Sequence, residues 1–237
     1  MWFNILVGNH GSLESLECLA PLVNYFRAAL GRCGHEVTIV PDKWHAGAVN
    51  LLLENFPDSR FWAGQVRRAR GQGYKVGLIA TELFVNRAIP YGASGIFFAD
   101  EQSEHEKAEY LRCRNEGFEA VAAEVDFVWS FFERTARELE PRCRVSKLFP
   151  MRHVGGVPRA DRLAPKDIDI AFFGTLTQHR ATVLNELSRR GLNIVCLGRC
   201  AAPGYTPTYP GFAPSYLVAS ILDRGKIGLN LTLCALG

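Results

Sequence analysis

The sequence lacks the features that mark several common classes of protein. Its 237 residues carry 27 basic and 24 acidic side chains, so the formal net charge is only +3. A charge this small and this evenly spread argues against nucleic-acid binding. No run of about 18 apolar residues occurs, so no membrane span is expected. The first residues, MWFNILVGNHGS, lack the basic start and long apolar run of a secretion signal. We therefore expect a cytoplasmic protein.

Recognisable metal and dinucleotide motifs are also missing. The seven cysteines form no CxxC pair, and Cys196 and Cys200, the closest two, have no further ligand at zinc spacing. Scattered thiols in a cytosolic protein are expected to be reduced. Asp167 and Asp169 have the DxD spacing of a metal-binding motif, but they precede an apolar strand instead of following one. The GxGxxG fingerprint of dinucleotide-binding proteins is absent.

Short apolar runs alternate with amphipathic stretches along the whole chain, which is typical of an α/β protein. Apolar runs at 2–7, 49–53 and 75–80 alternate with stretches of helical periodicity at 13–32 and 59–70. Parallel neighbours need a crossover, usually a helix, and such crossovers are right-handed. The pattern therefore predicts doubly wound parallel sheets.

A change of composition divides the chain near residue 160. Residues 151–166, MRHVGGVPRADRLAPK, contain two Gly and two Pro without apolar periodicity, which indicates a linker. Strand and helix patterns begin again in residues 167–237, which hold too few strands for a complete sheet with helices on both faces. We therefore expect one domain over residues 1–150 and the beginning of a second over residues 167–237.

Loops that follow strands hold the candidate sites, because ligands of open parallel sheets bind outside the carboxyl ends of the strands. The loop after the first strand contains two glycines and leads into a helix N-terminus, which offers free N–H groups and a positive dipole end. An ordinary strand-to-helix turn explains this loop equally well. His10 is a candidate general base because imidazole titrates near neutral pH. The residues of the loop are Gly8, Asn9, His10, Gly11 and Ser12.

A second candidate, Thr81-Glu82, follows the apolar strand at 75–80. Glu82 at the rim of a cleft is a second candidate base, and a capping or salt-bridged Glu is the alternative interpretation.

The third candidate follows the first strand of the expected second domain, where backbone N–H groups, a hydroxyl and a guanidinium together suit a diphosphate. An ordinary turn with a solvated Arg180 is the alternative there. The phosphate-binding candidates are Gly174, Thr175, Gln178 and Arg180.

Four features of the second unit carry a resemblance to a known family. They are a strand ending in Phe-x-Gly at 172–174, a helix opened by Arg180, a strand ending in Gly at 197–198, and a Lys-Ile-x-Leu-Asn strand at 226–230. The chain resembles bacterial GT-B glycosyltransferases, and it is most similar to the group related to spore-maturation glycosyltransferases. The segments VNLLLENF, LIATE and VDFVWS extend the resemblance into the first domain.

The resemblance implies two Rossmann-like lobes that face each other across a cleft, the second of them incomplete. A nucleotide diphosphate sugar would bind to the C-terminal lobe, and an acceptor hydroxyl, on a glycan, lipid or protein, to the N-terminal lobe. The resemblance implies no metal and no other cofactor, since protein cations and helix N-termini offset the diphosphate charge. Arg180 with the Gly174 and Thr175 amides would stabilise the leaving diphosphate, and His10 or Glu82 would deprotonate the acceptor.

The resemblance leaves two alternatives to sugar transfer open. In the family, later loops complete the donor site, and here they would lie beyond Gly237, so we expect a C-terminally truncated chain. A nucleotide-sugar epimerase of the same fold is one alternative function. A non-catalytic, truncated homologue that binds a nucleotide or sugar is the other.

Overall fold

A computed structural model describes residues 1–8, 13–54, 59–84, 86, 88, 104–149, 165–174, 176–198, 209–210 and 215–229. These residues divide into two compact units, each with its own sheet. None of the described helices is long and apolar enough to cross a lipid bilayer.

The first unit alternates strands and helices along the chain. Its elements are β1 (Trp2–Leu6), α1 (Leu13–Arg32), β2 (Glu36–Val40), β3 (Val49–Leu53), α2 (Ser59–Gly71), β4 (Lys75–Ala80), α3 (Glu104–Glu124), β5 (Phe127–Ser130), α4 (Glu133–Leu139) and β6 (Ser146–Leu148). The strand order is β2-β1-β3-β4-β5-β6, and every neighbouring pair is parallel. The predicted α/β fold with a parallel sheet is therefore confirmed for this unit.

Helices cover both faces of the six-stranded sheet. On one face, Val23, Phe26 and Leu30 of α1 pack with buried side chains of β1, β3 and β4. Successive residues of a strand point to opposite faces, so Leu52 and Leu78 belong to the other face. The chain adds strands in one direction after β1 and in the opposite direction after β3, so right-handed crossovers place α2, α3 and α4 opposite α1.

The second unit repeats the same arrangement on a smaller sheet. Its elements are β7 (Ile168–Phe173), α5 (Gln178–Arg189), β8 (Ile194–Gly198), β9 (Tyr209–Pro210), α6 (Ser215–Arg224) and β10 (Gly225–Leu229). The order is β10-β7-β8-β9, again with parallel neighbours, and β9 has only two residues. Two buried clusters hold this unit together, one with Val218 and Ile221 of α6 and the other with Leu184 of α5.

Helix α3 is longer than the sequence pattern predicts. We expect a helix that ends near Gly117, because a glycine after a charged stretch resembles a helix stop. The helix instead continues to Glu124, and Phe118, Val121 and Ala122 are buried beyond the glycine. Burial of this apolar stripe outweighs the roughly 1 kcal/mol cost of a glycine inside a helix. Most of the predicted linker lies outside the described residues, so the domain boundaries stay predictions.

Candidate functional site

The order of strands indicates where a ligand of the first sheet would bind. The connections after β1 and β3 run to opposite faces, so the switch point lies between these two strands. Gly8 lies just beyond the end of β1, and Glu54 follows β3 directly. The loops after β1, β3 and β4 are therefore where a ligand of this unit would bind.

Gly8 is required by a close approach of two backbone segments. Its N–H donates to the Pro41 carbonyl oxygen at 2.5 Å. A Cβ atom at this position would lie 2.2 Å from the same oxygen, so any other residue would clash. The Gly8 amide is thus engaged with the end of β2. The other loop residues predicted from the sequence, Asn9, His10, Gly11 and Ser12, lie outside the described residues.

A buried ionic cluster joins the ends of β3 and β4 to helix α3. The Glu54 carboxylate, whose side chain is 1% exposed, accepts hydrogen bonds through Oε2 from the backbone N–H groups of Thr81 (3.0 Å) and Glu82 (2.9 Å). Nη2 of Arg114 lies 3.4 Å from Glu54 Oε1 and 3.2 Å from Glu82 Oε1. The predicted candidate Glu82 is thus salt-bridged, and its side chain keeps 25% of its surface exposed.

Burial gives both carboxyl groups of this cluster a high proton affinity. Loss of water around Glu54 raises its pKa from 4.5 to about 7, although Arg114 and the two backbone N–H groups favour the ionised form. The pKa of Glu82 is also raised, mainly by burial, with Arg114 opposing. A carboxylate with a raised pKa accepts a proton more readily near neutral pH, which suits a general base.

Neither Glu54 nor Arg114 was predicted from the sequence. Glu54 follows the apolar run VNLLL just as Thr81-Glu82 follows KVGLIA, so its position after a buried strand was an available signal. Arg114 carries no such signal, since it is one of several charged residues in α3. Its role depends on contacts 60 and 32 residues away along the chain.

The carboxyl edge of the second sheet is built on two glycines. Gly174 follows β7 with φ of 141°, and Gly198 ends β8 with φ of 151°, a region that favours glycine. The N–H of Gly174 donates to the Leu197 carbonyl at 2.9 Å. A Cβ at Gly198 would lie 2.0 Å from the Gly174 oxygen. Two bare backbone segments therefore lie against each other at this edge.

Arg180, predicted from the sequence, lies beside these glycines. Its side chain belongs to the first turn of α5, and its guanidinium carbon is 5.4 Å from the centre of the Phe172 ring. A Cβ atom added at Gly174 would lie 3.4 Å from Nη1 of Arg180. Arg180 is only 9% exposed, so the alternative of a solvated arginine is wrong. Burial lowers the pKa of Arg180, yet an arginine in a protein stays charged.

The start of α5 is capped by a side chain. Thr177 is the N-cap residue, and its hydroxyl accepts a hydrogen bond from the Arg180 N–H at 3.4 Å. Thr175 lies outside the described residues, and only the backbone of Gln178 is described, as the first residue of α5. Gly174 and Arg180 are thus the predicted phosphate-binding residues that the structure brings together.

The Asp167-x-Asp169 motif lies at the opposite edge of the same sheet and forms ion pairs. Asp167 pairs with Arg224, and Asp169 Oδ1 accepts from Lys226 Nζ at 2.6 Å. These pairs lower the pKa of both aspartates and join the start of β7 to β10. Within the described parts of the chain, no group of three or more His, Cys, Asp or Glu side chains is arranged to hold a metal ion.

Comparison with known proteins adds no family to this description. The sequence matches no protein-family model, and no curated protein is similar to it at a significant level. The fold and the two carboxyl-edge sites are therefore the observations on which a function can be argued.

Proposed function

We propose that this protein is a glycosyltransferase that moves a sugar from a nucleotide diphosphate sugar to an acceptor hydroxyl. The observation that carries the proposal is the position of Arg180, a buried cation at the carboxyl edge of a parallel sheet, beside Gly174. Ligands of this sheet class bind at that edge. The resemblance to GT-B glycosyltransferases, which rests on the same residues, directs the proposal from anion binding to nucleotide sugars.

The chemistry of the second unit supports binding of a diphosphate. A guanidinium presents fork-shaped N–H donors that match phosphate oxygens, and its hydrogen bonds to anions are charge-assisted. Gly174 has no side chain that would stand between phosphate oxygens and the nearby Arg180 guanidinium. In sugar transfer the diphosphate is the leaving group, so its charge grows as the glycosidic bond breaks. Arg180 would stabilise that developing charge.

The first unit supplies a candidate base for the acceptor. Glu82 lies after β4 with a quarter of its side chain exposed, and burial raises its pKa above the ordinary value. In this proposal its carboxylate accepts the proton of the acceptor hydroxyl as the oxygen attacks the anomeric carbon. His10, which lies outside the described residues, is the other candidate for this role. The acceptor is a glycan, lipid or protein hydroxyl, and the reaction uses no metal.

Arg180→Ala tests the donor site. Binding of a panel of nucleoside diphosphates would be measured by calorimetry on the whole chain, with the matching monophosphates for comparison. We expect diphosphates to bind more tightly than monophosphates, and Arg180→Ala to weaken diphosphate binding by roughly 10- to 100-fold, because charge-assisted hydrogen bonds are lost. Circular dichroism would verify that the variant is folded.

Arg189→Ala is the matched control, since Arg189 lies at the far end of the same helix with a 78% exposed side chain. Its binding should equal that of the unaltered protein. Absence of diphosphate binding, or equal binding by Arg180→Ala, would reject the donor site. A product assay with nucleotide sugars and acceptors then separates the alternatives. A transferred sugar supports the proposal, an isomerised or hydrolysed donor indicates the epimerase, and binding without a product indicates the non-catalytic homologue.

A further inference from the structure

Arg114 lies between two carboxylates, and this shared contact gives Glu54 a role that its burial alone does not require. We propose that Glu54 is a positioning residue for Glu82, because it fixes the backbone that carries Glu82 and competes with Glu82 for the Arg114 guanidinium. The inference deepens the proposed function and rests on it, since Glu82 is the candidate base there. Glu54 would act on the reaction only through Glu82.

Glu54 fixes the backbone at Glu82 through direct hydrogen bonds. Both N–H groups that Glu54 Oε2 accepts, those of Thr81 and Glu82, belong to the segment that leaves the end of β4. This segment is also held on its other side, where the Thr135 hydroxyl donates to the Glu82 carbonyl at 3.3 Å and accepts from the Phe84 N–H at 2.8 Å. The main chain at Glu82 is therefore fixed, and the remaining freedom of its carboxylate lies in the side chain.

The guanidinium of Arg114 is shared by Glu54 and Glu82. One nitrogen of Arg114, Nη2, reaches both carboxylates at similar distances, 3.4 Å for Glu54 and 3.2 Å for Glu82. One positive charge thus faces two acidic groups inside a region from which water is largely excluded, where charges interact strongly. Any negative charge on Glu54 takes up part of the attraction that Arg114 would otherwise exert on Glu82.

The protonation state of Glu54 determines how strongly Arg114 stabilises the Glu82 carboxylate. Among the described residues, Arg114 of α3 and Glu82 after β4 are the charged groups that act on Glu54, and Arg114 is the one that acts most on Glu82. Burial raises the pKa of Glu54 to about 7, so Glu54 is neutral in mildly acidic solution. Arg114 then stabilises the Glu82 carboxylate alone. When Glu54 ionises, Glu82 becomes a stronger base.

Glu54→Gln is the variant that separates charge from shape. The glutamine oxygen still accepts from the Thr81 and Glu82 N–H groups, but the negative charge is gone. We expect the part of the Glu82 titration near and above pH 7, where Glu54 of the unaltered protein ionises, to move down, because Arg114 then acts on Glu82 alone at every pH. The acidic limb of the kcat/KM profile should move with it. kcat should fall several-fold above pH 7, and KM for the nucleotide sugar should stay unchanged.

Glu119→Gln is the matched control on the same helix. Glu119 pairs with Arg142 at 2.7 Å and lies away from the carboxyl edge, with a side chain 30% exposed. This variant loses a carboxylate and an ion pair, as Glu54→Gln does, but it should leave the ionisation of Glu82 and the pH profile unchanged. An equal shift in both variants would overturn the inference, since it would show a general effect of charge.

The readout that decides the inference does not depend on sugar transfer. Carboxyl ¹³C signals of the labelled protein would be followed by NMR from pH 4 to 9, with Glu82→Gln to assign the Glu82 signal. A downward shift of the Glu82 titration in Glu54→Gln supports the positioning role, even if no transferred sugar is found and the proposed function fails. An unchanged Glu82 titration overturns the role, even if the protein transfers sugar.

A second variant covers the case in which Glu54→Gln does not fold. Arg114→Lys keeps the positive charge but loses the guanidinium nitrogen Nη2 that reaches both carboxylates. We expect the Glu82 titration to move up in this variant. A Glu82 titration that does not respond to Arg114→Lys would overturn the inference as well.

Discussion

Both sheets of this protein are parallel, but the side chains at their carboxyl edges differ in chemistry. In the first unit, charged side chains hold the edge together, with Arg114 between Glu54 and Glu82. In the second unit, two glycine backbones hold it together, and Arg180 lies against the Phe172 ring. One arginine thus faces carboxylates of the protein, whereas the other lies beside an aromatic ring, a glycine and a thiol.

This difference separates the two kinds of chemistry that the proposed reaction needs. Carboxylates with raised pKa values accept protons more readily than ordinary carboxylates do, which suits the attack of an acceptor hydroxyl in the proposed reaction. A buried guanidinium beside bare backbone suits an anion, which the departure of a diphosphate requires. In the proposed reaction the same sheet edge would support proton transfer in one unit and anion binding in the other, according to the side chains that follow the strands.

The largest expected effect tests whether backbone contact holds the second edge. Gly198→Ala would place a Cβ 2.0 Å from the Gly174 oxygen, at a φ that L-residues rarely adopt. We expect a loss of roughly 3–5 kcal/mol in the free energy of unfolding, from clash and backbone strain together. Chemical denaturation measures this loss. Gly228→Ala, at an exposed strand position with open space around the glycine, should cost less than about 1 kcal/mol. Equal losses would contradict the account of this edge.

A smaller effect tests whether buried charge governs the first edge. The pKa of Glu54 is raised in the folded state, from 4.5 to about 7, so the unfolded chain releases this proton first as the pH rises. The folded state is thus stabilised fully below about pH 4.5, and this stabilisation is lost as the pH rises to about 7. Relative to Glu54→Gln, the unaltered protein should lose roughly 3 to 4 kcal/mol of unfolding free energy over this range. Parallel pH dependences of the two proteins, measured by urea denaturation, would show that Glu54 ionises normally.

The smallest effect concerns the helix that presents Arg180. Thr177→Ala removes the hydroxyl that accepts from the Arg180 N–H, and loss of such a cap costs about 1 kcal/mol. Thermal unfolding should detect this decrease. Thr182→Ala, at an exposed position inside the same helix, should be neutral or slightly stabilising, because alanine favours helix. A loss at Thr182 as large as that at Thr177 would mean that the cap contributes nothing specific.

Much of the fold could be predicted from local pattern, and the failures have identifiable causes. Strands β3 and β4 coincide with the predicted apolar runs at 49–53 and 75–80, since strands buried on both faces are mostly apolar. The predicted end of α3 was wrong because Gly117 is a local stop signal, whereas burial of the apolar stripe beyond this glycine depends on packing. Arg180 could be predicted from the sequence, because a strand that ends in glycine and the helix that follows it place this residue at the carboxyl edge of the second sheet.

The candidate site of the first unit shows where prediction from sequence stops. Glu82 follows a strand and could be found, but Glu54 and Arg114 acquire their roles only through each other. Their contacts require the register of β3 against β4 and the rotation of α3 about its axis. Neither quantity is written in a local pattern, since each results from the packing of distant segments.

The sequence by itself determined the succession of strands and helices, the parallel sheets and the loops in which the candidate ligand-binding residues occur. These follow from periodicity and from the geometry of crossovers, which are local or nearly so. Only the tertiary structure decided that Glu54 is buried, that Arg114 divides its charge between two carboxylates, and that Arg180 lies against Phe172. Proton affinity and charge balance depend on burial and on partners distant in the chain, and both exist only once the chain has folded.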